Sequence, residues 1–152
     1  MVTIKRKDLL ELFAGMNATA ELEGSEFAYA VAVNIKKIQP EIDAINAMLK
    51  PSEDFSKFTE SRDQIVKKYG TPMSDGNRYT IPQESMAAYE EEIKTVEEEC
   101  KDILKKREEL EKEYVEFLEK ESSVDLCMVA KSDIPKSITP RQVFAILPMI
   151  VQ

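Results

Sequence analysis

The stretch MAAYEEEIKTVEEECKDILKKREELEKEYVEF, residues 86–117, decides the fold. Met86, Tyr89, Ile93, Val96, Cys100, Ile103, Arg107, Leu110, Tyr114 and Phe117 follow one another in steps of three and four. A helix turns once in about 3.6 residues, so this spacing collects them on one face. The positions between them are overwhelmingly Glu and Lys. At about 1.5 Å per residue such a helix is roughly 50 Å long. With a single apolar seam it is not stable alone, and a partner has to cover that seam.

The partner is expected upstream. Val31, Ile35, Ile38, Ile42, Ile45 and Leu49 step by four and three, a heptad seam, with Ser25 as the expected N-cap. Pro40 predicts a bend within it, and Pro51 a break and restart. The stripe resumes as Phe55, Phe58, Arg62, Ile65 and Tyr69. Residues 70–82 then read as the turn, with Asp75-Gly76 as a short-hairpin signal. A short connection makes the two helical arms antiparallel neighbours, and a fold about Asp75-Gly76 places Ile93 near Phe58.

The ends differ in character. Residues 1–4 are β-prone, and a small helix carrying Leu9, Leu10, Leu12 and Phe13 is expected to stop at Gly15. Residues 17–23 read as a strand or an extended loop. Val124, Leu126, Met128 and Ala130 alternate with Asp125 and Cys127, as a half-buried strand does. Thr139, Pro140 and Gln142 form a capping-box signature for a last helix over about 140–150. The expected fold class is mainly α with a small α+β base: a long antiparallel coiled-coil helical hairpin plus short strands from the chain termini. It is read as a single domain, with the base at 1–23 and 122–152, the hairpin at 24–121 and its turn at 70–82.

Charge narrows the function classes. The net charge is −8, and residues 84–121 carry fifteen acidic against seven basic side chains while the remainder balances at fourteen of each. An acidic chain is a poor fit to phosphate-backbone binding, so no nucleic acid is expected. No apolar run approaches the ~18 residues of a membrane span, so no membrane is expected either. Residues 1–7 carry charge without the apolar run of a signal peptide. Cys100 and Cys127 make no disulfide framework and read as small apolar residues in a reducing, cytoplasmic compartment.

The chemistry-bearing motifs are few. Histidine is absent, and no CxxC, P-loop or GxGxxG occurs. The Glu-rich runs at 90–92 and 97–99 read as a solvated face. No catalytic group, no metal and no cofactor is therefore expected. Three features need an account. FAYAVAV at 27–33 is an uncharged helical run. It packs either on two sides within the chain or as a subunit interface through Phe27, Ala28, Ala30 and Val31, with small residues allowing close approach. Asn34 follows it, either as a register device or as a ligand contact. Arg62 and Arg107 stand at seam positions, where arginine snorkels to water or meets a carboxylate or an anionic ligand.

GSEFAYAVAVNIKKIQPEIDAI at 24–45, the glycine-and-tyrosine turn before the Glu/Lys-rich helix, and DIPKSITPRQVFAILPMI at 133–150 together resemble a family of small phage and prophage accessory proteins of this length and layout, which carry no assigned activity. The resemblance implies a phage-encoded protein made in a bacterial host, in the setting of host–phage conflict, where some proteins sequester nucleotide immune signals. It carries over no binding residue. The expected function is a non-enzymatic, oligomeric binding protein holding a small phosphorylated ligand. Asn34, Lys36, Arg62, Arg78, Tyr79, Arg107 and Arg141 are its polar candidates, because Arg grips phosphate bidentately and Tyr offers a stacking face. The alternatives are an acidic helical inhibitor or decoy of a host protein, and a phage structural or assembly factor.

Overall fold

The structure, a computed structural model, describes residues 1–151; Gln152, the last position of the expected base, lies outside them. The chain is mainly helical and divides into two compact units, residues 1–49 with 113–152, and residues 50–112.

In the first unit, β1 (Val2–Lys5) pairs antiparallel with β4 (Glu121–Val124), from Val2 opposite Val124 to Lys5 opposite Glu121. Helix α1 (Arg6–Thr19) buries Leu9, Leu12, Met16 and Thr19 on one face. It runs through Gly15 rather than stopping there, and takes up part of the segment read as strand or loop. The reason is a close helix crossing. A Cβ on Gly15 would lie 2.6 Å from the Ala145 Cβ of α6 (Pro140–Ile146), so only glycine fits.

Helix α2 (Ser25–Met48) contains Pro40 and buries Phe27, Ala30, Val31, Asn34, Ile38, Ile42 and Ile45. Its N-cap is Gly24, not Ser25, with φ +133°, in the region that favours glycine. Helix α6 begins on the expected cap: Gln142 N–H donates to Thr139 Oγ1 (3.3 Å) and Thr139 N–H to Gln142 Oε1 (2.9 Å). The expected strand over 124–130 is mostly absent. Alternation fails beyond Leu126, where Cys127 is half-buried, Met128 exposed and Val129 buried. Val129 instead makes an isolated parallel bridge with Ile150.

One polar clamp ties this unit together. Lys7 and Lys5 both donate to Glu119, at 2.7 and 2.9 Å. These two bonds, Lys7 first, pull the Glu119 carboxyl down to about 2. An unfolded Glu titrates at about 4.3, so the clamp favours the folded chain above that pH and is lost as pH falls toward about 2. Glu119→Gln should therefore flatten the fall of the thermal midpoint between about pH 4.5 and about pH 2. Parallel curves for the two proteins across that window would show that the clamp contributes nothing. The side chain is half exposed, so the effect is modest.

In the second unit, α3 (Glu53–Tyr69) starts at Ser52, whose Oγ accepts from Phe55 N–H. The turn is built as expected around Gly76, φ +70°, between β2 (Thr71–Pro72) and β3 (Tyr79–Thr80). A 3-10 turn (Gln83–Ser85) leads to α4 (Met86–Glu99). The long helix is not continuous: Cys100, at φ −102° and ψ 14°, separates α4 from α5 (Lys101–Glu119), which carries the chain back to the first unit.

Helix α3 lies antiparallel to α4 and to the start of α5. Tyr69 meets Tyr89 edge-on with centroids 6.4 Å apart, Lys68 reaches Glu92 at 2.8 Å, and Arg107 stands 5.0 Å over the Phe55 ring. This register lies beyond the expected one, which paired Ile93 with Phe58. Helix α3 joins β2 through Gly70 alone, whereas residues 81–85 separate β3 from α4, so the two arms leave the hairpin asymmetrically. The α4–α5 arm is displaced accordingly.

Candidate functional site

Two of the chemically expressive side chains, Phe55 and Arg107, come together in the second unit. They line a cavity of about 310 Å3 where the start of α3 faces the first turns of α5. Lys50 and Ser52 approach from the segment before α3, and Lys106 stands beside Arg107. Three cations, Lys50, Lys106 and Arg107, line the cavity with one carboxylate, Asp54, while Glu111 pairs with Arg107 beside it, which leaves one positive charge in excess in a chain whose net charge is −8. Concentrated positive charge in an acidic protein makes a local field for an anion.

The contacts that orient Arg107 include an ion pair and an aromatic ring. Its Nε donates to Glu111 Oε1 at 2.8 Å, and its guanidinium plane stands over Phe55. The side chain is only 18% exposed. A guanidinium fixed in this way loses little rotamer freedom when it binds. The aliphatic parts of the lining, Ile103 and Leu110, supply an apolar wall. Cationic groups, a ring and an apolar wall form the mix that small charged ligands use.

The other expected candidates are dispersed. Arg62, placed by spacing in the seam, is exposed on α3. Arg78, at the hairpin tip, donates to Asp75 Oδ2 at 2.7 Å. That contact, with the Asn77 and Arg78 main-chain N–H groups, lowers the Asp75 carboxyl below its usual range. Tyr79 is half-buried against Gly70, where an added Cβ would come within 2.8 Å of the Tyr79 Cβ. Lys36 is exposed on α2. Arg141 lines a separate cavity of the first unit.

Asn34 is fully buried and engaged. Its Nδ2 donates to the Cys127 carbonyl at 2.9 Å, and the Cys127 N–H donates to its Oδ1 at 2.7 Å. The side-chain amide stands in for a neighbouring strand. Of the four residues expected at an interface, Phe27, Ala30 and Val31 belong to the core of the first unit, and only Ala28 is exposed. Burial in that core is the physical correction to the interface reading of these three.

Nothing in the local sequence marks Lys50 or Lys106 as a site residue. Lys50 stands beside the Pro51 break and Lys106 in a Lys-rich run that reads as solvated face; only the α3–α5 pairing joins them. Among the described residues no group of three or more His, Cys, Asp or Glu is placed to hold a metal ion. Among them, too, no helix is long and apolar enough to cross a membrane. Comparison with family models, with curated proteins and with solved structures finds no match to this chain.

Proposed function

We propose that this chain is a non-enzymatic binding protein that holds a small phosphorylated ligand in the Lys50–Lys106–Arg107 cavity. One observation carries the reading: three cations and the Phe55 ring converge on one cavity of an acidic protein. Its volume of about 310 Å3 is at the lower end of ligand pockets, a size suited to one nucleotide unit. Arginine and lysine would hold phosphate oxygens while the ring covers a base or sugar. The antiparallel helical arms would act as a coiled coil that braces the cavity walls. The protein would work as an oligomer in the bacterial cytoplasm. The setting that the phage resemblance implies makes nucleotide immune signals the ligand class to try first.

Purified protein should be incubated with cyclic and linear nucleotides and analysed by native mass spectrometry. At least one should be retained and released intact on heating. Arg107→Ala should weaken that binding by about tenfold to a hundredfold, the loss of a charged hydrogen-bonded contact worth roughly 1.5–3 kcal/mol. Arg62→Ala and Lys101→Ala, both at exposed positions, should change it little. Chemical conversion of the nucleotide would overturn the non-enzymatic reading. A second reading has its own observation: Glu90, Glu91, Glu97, Glu98 and Glu99 are all exposed on α4. Such a face suits a decoy for a basic protein surface. It is preferred if no nucleotide is retained and a protein partner is lost when these residues become Gln.

A further inference from the structure

The first unit carries a surface that the ligand reading leaves unused. Helices α1 and α6 cross at Gly15 and Ala145, and beside the crossing lies a groove of about 740 Å3. Its walls are held in place, since Gln142 Nε2 donates to the Ala18 carbonyl at 3.1 Å. Arg141, Phe144 and Leu147 stand at successive steps of three along one wall. Phe144 is 74% exposed and Leu147 40% exposed, although Ile146 between them is fully buried. The facing wall on α1 presents Asp8 and Glu11 and then the small side chains of Ala14 and Ala18.

This surface is complementary to itself. One wall is a ridge of large apolar side chains with a cation at its end. The other is a trough of small side chains with two carboxylates at its end. Neither Asp8 nor Glu11 nor Arg141 forms a salt bridge within 4.0 Å among the described residues. A two-fold axis needs the same patch on both subunits to match itself, and this patch does. We infer that the α1–α6 groove docks a second copy of this chain, with Phe144 of each copy seated over Ala14 and Ala18 of the other and Arg141 opposite Asp8 and Glu11. The inference gives the oligomer of the proposed function its surface and rests on that part of the reading alone.

Sedimentation equilibrium of the full chain over a range of concentrations tests it. The mass should rise from 17.3 kDa toward twice that value. Phe144→Glu should raise the dimer dissociation constant about thirtyfold or more, as expected for a central aromatic anchor. Because Phe144 is exposed, the thermal midpoint at low concentration should hold. Glu11→Arg and Arg141→Glu should each weaken the dimer, and the two together should restore it, which only a contact between opposite walls of two copies allows. A monomer at every concentration overturns the inference, as does a dimer indifferent to Phe144→Glu. So does a monomer that captures a different protein through Phe144. Arg107→Ala should weaken nucleotide retention and leave the dimer intact, whereas an unsubstituted protein that dimerises but retains no nucleotide sinks the ligand reading and spares this one.

Discussion

Asn34→Ala should destabilise the protein by roughly 2–4 kcal/mol, with little dependence on any ligand. The side chain is fully buried, and both its polar atoms bond the main chain of Cys127. Truncation leaves a main-chain N–H and a carbonyl without partners, each costing about 1–3 kcal/mol where water cannot reach. The Cys127 side of the clamp is only part-buried, so solvent recovers some of that cost. Chemical denaturation of both proteins measures the difference. Hydrogen exchange should show the Cys127 amide losing protection first, because Asn34 is its acceptor. If stability is unchanged while nucleotide retention falls, Asn34 is a ligand contact, and the structural account of it is wrong.

Asn34 also shows where the sequence stops being legible. Its position after an uncharged run marked it as unusual. Nothing local says that its partner is a backbone 93 residues downstream. The helices of the second unit were readable because their evidence is local: steps of three and four, a serine cap and an Asp-Gly turn. The capping box at Thr139 and Gln142 was readable for the same reason.

Gly15 misleads because its cause is remote. A glycine after an apolar helical run ordinarily ends a helix. Here Ala145 sits where its side chain would be. The hairpin register failed on a similar point, since the number of non-helical residues before α4 cannot be counted from periodicity. The candidate site was least legible. Arg107 stands out because it interrupts an apolar seam, whereas Lys50 and Lys106 look like ordinary surface lysines until α3 and α5 are paired.

Phe27→Ala should cost about 3–5 kcal/mol, the largest effect expected of any single truncation considered. Phe27 is 0% exposed and belongs to the core that α1, α2 and the C-terminal segment share. Removing the ring forfeits its transfer free energy and leaves a cavity that close-packed neighbours fill only in part. The same substitution separates two accounts of the uncharged run at 27–33. If the run is core, the thermal midpoint falls by roughly 6–20 °C and the subunit count at low temperature stays the same. If the run is an interface, the mass falls while the monomer keeps its stability. Ala28→Glu is the companion variant, because Ala28 is exposed on the same helix and its replacement opens no cavity. It should leave both mass and stability near their original values. A monomer produced by Ala28→Glu would return the interface to α2 and remove it from the α1–α6 groove, so these two substitutions with Phe144→Glu assign the surface unambiguously.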